Sequence, residues 1–197
     1  MAVDVLILNT AVADLRRADF QFADRLVGKG GLAKCRTEDM PDYSQEQIKQ
    51  WIDEGSATAG GPGNTAPLIA RTGLKVAVGV NLGKGDYDGL DAQGRFFYDV
   101  LVANGVDMSA THVHPTLPTG TTFIHNPKGD DRGGIAYFPN ANNDFDFAIF
   151  RKAVALAGIL GYLAGTETIQ RMVGRKIERV TELMTDDKEV RDGSHNS

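Results

Sequence analysis

Apolar and polar positions follow two rhythms along this chain, and they predict an α/β succession. Val3 to Leu8 is a short run rich in branched apolar residues, the pattern of a strand buried on both faces. From Asp14 to Lys34 the rhythm breaks. Phe20 and Phe22 stand two apart around a glutamine, and Gly28, Gly30 and Gly31 bring turns, so a short exposed hairpin or flap is expected.

Ser44 and Gln47 then have the spacing of a capping box, and Ile48, Trp51 and Ile52 form the apolar stripe of the helix it opens, ending at Gly55. Residues 59–66 (Ala-Gly-Gly-Pro-Gly-Asn-Thr-Ala) read as a glycine-rich turn feeding an apolar helix that stops at Gly73. A strand is expected over Lys75 to Val80 and a loop over Gly83 to Asp91. A helix over Gln93 to Asn104 carries Phe96, Phe97, Val100 and Leu101 at helical spacing. Thr119 to Asn126 and Gly134 to Phe138 are strand-like, with a polar turn from Lys128 to Gly133 between them. Beyond Asp146 the chain turns Ala-rich. Ile169, Met172, Val173, Ile177, Val180 and Leu183 then predict an amphipathic helix, followed by a polar tail from Asp186. Residues 1–150 are expected to form the α/β unit, and 151–197 no separate domain.

The 197 residues suffice for one core. A net charge of −5 without a basic block argues against a nucleic-acid partner. Cys35 is the only cysteine, which excludes a disulfide framework and suits a reducing, cytoplasmic setting. The N-terminus lacks the basic region and apolar length of a signal peptide. The longest weakly polar run, Ala153 to Gly165, falls short of the roughly 20 residues that cross a bilayer, so no membrane partner is expected.

The glycine-rich entry to the helix at residues 59–64 is the sharpest local feature, because residues without Cβ let a ligand approach backbone N–H groups. It lacks the Lys-Ser/Thr of a P-loop and is not a GxGxxG turn, so a plain structural turn stays open beside a binding turn. Asp14 offers two carboxylate oxygens to hydroxyls or is a solvated loop residue. Asn64 offers both donor and acceptor or caps the helix. His112 and His114 would share one face of a strand as two exposed histidines, with no third metal ligand, and His125 has no readable partner. Neither GxSxG nor a Cys35–His pair supports nucleophilic hydrolysis.

In order along the chain stand Gly60-Gly61-Pro62-Gly63-Asn64-Thr65-Ala66, Arg71-Thr72-Gly73, Val78-Gly79, Asp91-Ala92-Gln93-Gly94, Gly105-Val106-Asp107, Thr119-Gly120, Asp131-Arg132 and Asn140-Ala141-Asn142. This succession resembles the substrate-binding half of ribokinase-like (PfkB) carbohydrate and nucleoside kinases over about residues 3 to 145. The two glycines lie one residue closer to Asn64 than in the usual GGxxxN pattern. The resemblance implies an α/β ribokinase-like sheet with helices on both faces and a small β lid, cut off after the substrate-binding half.

It also implies ATP-dependent phosphoryl transfer to a hydroxyl of a sugar or nucleoside. Substrate would meet Asp14, Gly60, Gly61 and Asn64, ATP and Mg2+ would serve as cofactors, and lid strands could pair two copies into a homodimer. The family's Gly-Ala-Gly-Asp run, which supplies the base and the anion hole, does not occur after residue 146. The ATP site is accordingly expected to be largely absent and autonomous transfer not to be carried by these residues. A non-catalytic binding or dimerisation module and a truncated gene product are the alternatives.

Overall fold

The computed structural model describes residues 3–127 and 133–144. The expected helix at Ile169 to Leu183 and residues 128–132 of the expected polar turn lie outside the described residues. In the described part, strands β1 (Val5–Leu8) and β5 (Val76–Gly79) pair in parallel, Val5 opposite Val76 and Leu8 opposite Gly79. Val106–Asp107 continues this pairing on the other side of β5, since Val78 N–H donates to Asp107 O and Asp107 N–H to Val76 O. β5 therefore lies between two neighbours and is buried throughout. β1 is only half-buried, a correction to the expectation of a strand buried on both faces.

A second, five-stranded mixed sheet contains β2 (Val12–Arg17), β3 (Leu32–Lys34), β4 (Ala57–Gly60), β8 (Thr121–His125) and β9 (Ile135–Tyr137), in the order β3-β9-β8-β2-β4. β2 pairs antiparallel with β4 and parallel with β8. A parallel pair, β6 (Asn81–Tyr87) with β7 (His112–His114), completes the described strands.

Four helices accompany them: α1 (Gln21–Val27), α2 (Gln45–Asp53), α3 (Pro62–Ala70) and α4 (Ala92–Ala103). α2 starts where Ser44 and Gln47 predict it. Ser44 Oγ accepts from Gln47 N–H at 3.2 Å, and the Gln47 side chain accepts from Ser44 N–H at 3.0 Å. Ser44→Ala removes one of these bonds and is expected to lower the stability of the 197-residue chain by about 1 kcal/mol in urea denaturation. A change below about 0.3 kcal/mol would show that packing of Ile48 and Trp51 alone fixes this helix end.

Two cores follow from this layering. Val76, Val78, Val80 and Leu82 pack with Phe97 and Leu101 of α4 and with Val106 and Met108. The second core, behind the five-stranded sheet, joins Leu15, Phe123 and Phe138 to Phe20, Phe22, Ile48 and Trp51.

The segment from Asp14 to Lys34 is not an exposed flap. It forms β2, inside the sheet, then α1 and the edge strand β3. Phe20 and Phe22 turn inward because four aromatic rings already wait there, and Phe20 lies 5.2 Å from Trp51 and 5.4 Å from Phe123, both edge-to-face. The expected loop from Gly83 is instead the continuation of β6 to Tyr87, and the glycine-rich turn begins as strand β4, leaving Gly61 as the single turning residue.

Candidate functional site

Residues 9–11 link β1 to β2, the strand that carries Asp14. Asn9 Oδ1 accepts from Thr10 N–H at 2.7 Å, bending the chain directly after β1. Asn142 then grips the next residue from both sides, its Oδ1 accepting from Ala11 N–H at 3.2 Å and its Nδ2 donating to Ala11 O at 2.8 Å. An amide so placed imitates a neighbouring strand. Tyr137 and Asn140 brace Asn142 in turn. β2 thus leaves a fixed point, and Asp14 is its third residue.

Along β2 alternate side chains face opposite ways. Ala13 and Leu15 are buried on the aromatic core, whereas Val12 and Asp14 are half-buried on the other face. The sheet register sets Thr58 of β4, Asp14 of β2, Thr122 of β8 and Tyr137 of β9 in one line across four strands. Thr122 Oγ1 donates to Asp14 Oδ1 at 2.5 Å. Among the described residues, Asp14 Oδ2 has no hydrogen-bond partner, and beside it the chain is glycine: a Cβ on Gly60 would stand 2.7 Å from that oxygen. Asp14, expected in a loop, is held on a strand with one oxygen fastened and the other open.

Gly61 is the N-cap of α3 with φ 57° and ψ −126°, and a Cβ there would meet Thr10 O at 2.6 Å. Only glycine serves at this turn. Asn64 sits in the first turn of α3, exposed, its backbone N–H donating to Gly61 O at 3.1 Å. Gly61, not Asn64, therefore occupies the cap position. Gly60, Gly61 and the start of α3 are drawn to β2 by the β2–β4 pairing, Val12 opposite Gly60.

Asp91, at the end of the expected loop, is buried and is the N-cap of α4. It caps α4 through Gly94 N–H at 2.7 Å and also accepts from Thr119 N–H at 2.7 Å and Thr119 Oγ1 at 2.6 Å. Burial nonetheless pushes its carboxyl above the ordinary range, against these three donors.

The histidines depart from expectation. His114 is buried: its Nδ1 accepts from the N–H groups of Thr116 and Leu117, so Nε2 carries the proton donated to Asp144 Oδ2 at 3.0 Å. Asn81 Nδ2 donates to the carbonyls of Ala141 and Asp144, leaving its Oδ1 to accept from His112 Nδ1 at 2.8 Å. The His112 ring ties β7 to β6 and the His114 ring ties β7 to Asp144, next to the turn that holds Asn142, and neither ring is exposed. His125, which has no partner legible in the sequence, lies 2.7 Å from Asp24 Oδ2 and donates to Ala18 O. The Gly134 N–H, and then the His125 ring, hold the Asp24 carboxyl below its ordinary range. Burial pushes the Cys35 thiol up, away from a thiolate.

Among the described residues, no group of three or more His, Cys, Asp or Glu could hold a metal ion, and no helix is long and apolar enough to cross a membrane. Among the described residues, none is assigned to Mg2+ or to an ATP–Mg2+ complex.

Over residues 37–181 the sequence matches the family described as pfkB family carbohydrate kinase. No curated protein matches it. Among solved structures, the adenosine kinase of Schistosoma mansoni in complex with adenosine is 16% identical with a TM-score of 0.53, over 77% of this chain and 43% of that one. A PfkB protein from Polaromonas sp. JS666 is 22% identical with a TM-score of 0.47, over 75% of this chain and 40% of that one. A fructokinase from Vibrio cholerae O395, bound to fructose, ADP and calcium ion, is 20% identical with a TM-score of 0.43, over 74% of this chain and 35% of that one. This chain spans about two fifths of the length of these structures. At such identities the likeness is one of fold: a mixed α/β, ribokinase-like arrangement.

Proposed function

Since this chain belongs to the PfkB family of carbohydrate kinases, we propose that its first 145 residues form the acceptor-binding part of an ATP-dependent kinase acting on a hydroxyl of a sugar or nucleoside. The observation that carries this reading is the Asp14 carboxylate, one oxygen fastened by Thr122 and the other open above the bare Gly60. A carboxylate offers acceptors only, and a polyhydroxylated molecule brings the donors. Gly60 and Gly61 allow its ring to approach the backbone, and Asn64, one turn into α3, supplies an amide that both donates and accepts. The solved neighbour named as an adenosine kinase, in complex with adenosine, supports the acceptor class.

Gly60→Ala tests this geometry. Its methyl group must displace the open oxygen of Asp14, and sugar affinity is expected to fall about tenfold, the equivalent of losing one good hydrogen bond. Isothermal titration with the sugar or nucleoside that wild type binds measures this. An unchanged dissociation constant would place the ligand elsewhere.

ATP and Mg2+ enter through the family. The Gly-Ala-Gly-Asp run that would supply base and anion hole is not in the sequence, so this reading assigns to the 197 residues acceptor binding rather than transfer. Incubation with ATP, Mg2+ and a panel of D-ribose, D-fructose, D-glucose and adenosine is expected to give no phosphorylated product. Robust turnover would overturn that assignment.

Pairing of two copies through lid strands is supported by the edge strand β3, whose three residues are all exposed, with Leu32 at 68%. A dimeric mass in light scattering, lost in Leu32→Lys, is the expected result. A cytoplasmic setting fits the single free cysteine.

A further inference from the structure

Thr122 carries no motif and lies 108 residues from Asp14 in sequence, yet it is the side chain that decides how Asp14 is presented. The two residues face each other across the parallel β2–β8 pair. An aspartate on a strand has several staggered rotamers open to it. The hydrogen bond from Thr122 Oγ1 to Oδ1 selects one of them. The missing Cβ at Gly60 makes room for Oδ2 in that rotamer.

A second consequence concerns polarity. A threonine hydroxyl has one proton, and in Thr122 that proton is directed at Asp14. Toward the open side of the sheet Thr122 Oγ1 therefore presents lone pairs only, as Asp14 does. We infer that Thr122 is a positioning and specificity residue: with Asp14 it forms a receiver of acceptors alone, which takes two neighbouring hydroxyls of the ligand and rejects a carbonyl or phosphate oxygen at the same place. This rests on the reading of Asp14 as a substrate contact.

The test compares wild type, Thr122→Val, Thr122→Ser and Asp14→Ala in isothermal titration. The probes are adenosine and its 2′- and 3′-deoxy analogues, or D-fructose and its monodeoxy analogues, according to which the chain binds. Valine keeps the branched shape suited to a strand and removes only the hydroxyl. Thr122→Val is expected to keep the wild-type thermal midpoint and bind the parent compound about tenfold more weakly. It should also lose most of the preference for the parent over one deoxy analogue, and Thr122→Ser should restore both. A purely structural role for Thr122 would not produce that loss of discrimination.

If Asp14→Ala abolishes binding while Thr122→Val binds and discriminates as wild type does, Thr122 has no such role. If Asp14→Ala binds normally, the reading of the site itself fails and this inference with it. Should Thr122→Val not fold, Thr122→Ala with the same serine rescue decides between the same outcomes.

Discussion

Phe20→Ala is expected to destabilise the chain by about 4 kcal/mol, within the 3–5 kcal/mol typical of a buried phenylalanine replaced by alanine. Phe20 is 1% exposed and precedes α1. Its ring meets Phe22 at 5.7 Å, Trp51 at 5.2 Å and Phe123 at 5.4 Å, all edge-to-face, and Tyr43 at 6.0 Å. Each edge-to-face pair adds about 0.5–1.5 kcal/mol beyond burial. The rings come from α1, α2, β8 and the segments before α1 and α2, so they cannot all move into the space left behind, and a cavity remains. Urea denaturation followed by Trp51 fluorescence measures the change. Leu74→Ala is the control, since an exposed leucine ahead of β5 is expected to shift stability by less than about 0.5 kcal/mol. A Phe20→Ala loss below about 1.5 kcal/mol would mean that α1 is not part of the folded core.

Asp14→Ala is expected to weaken binding of a sugar or nucleoside at least about a hundredfold, since hydrogen bonds to a charged group contribute about 1.5–3 kcal/mol and Asp14 can accept more than one. Stability should change little, because Asp14 is half-buried and Thr122, its side-chain partner among the described residues, can turn to solvent. Asp14→Asn separates charge from shape. Its amide can keep an oxygen toward Thr122, but then presents N–H donors where the carboxylate presented acceptors. A ligand hydroxyl can turn and accept from that N–H, but the charge-assisted bonds are lost, and the asparagine variant is expected to bind about tenfold more weakly than wild type. Retained wild-type affinity in Asp14→Asn would show that the charge at this position is unimportant.

The legible parts of this fold are those whose physics is local. The Ser44–Gln47 capping box depends on residues three apart and occurs where spacing predicts it. The illegible parts depend on partners far along the chain. Phe20 and Phe22 alternate as a strand would, but the aromatic rings that draw them inward belong to other elements. Glycine misled at β6. Gly83 marks close approach rather than a loop, since a Cβ there would meet Thr119 N at 2.6 Å.

The same holds for the site. The glycines at 60 and 61 stand out in composition, and in the structure their reason is intramolecular: the Asp14 carboxylate and Thr10 O lie where a Cβ would go. The strand position of Asp14, and its fastening by Thr122, arise only when β2 and β8 pair. The partners of His114 and His125, namely Asp144 and Asp24, are likewise products of tertiary structure. Asn142, which fixes the start of β2, lies within the Asn140-Ala141-Asn142 run that the family resemblance flags. Its contact with Ala11 spans 131 residues and is invisible locally.

Where a ligand docks decides the role of Asp14 most directly. Amide 1H–15N spectra of the 197-residue chain, recorded during titration with D-ribose, D-fructose and adenosine, measure this. The predicted result is saturable shifts for one of these compounds, concentrated at Asp14, Thr122, Gly60, Gly61 and Asn64 and absent in Asp14→Ala. Saturable shifts elsewhere on the protein, or a response that survives in Asp14→Ala, would contradict it.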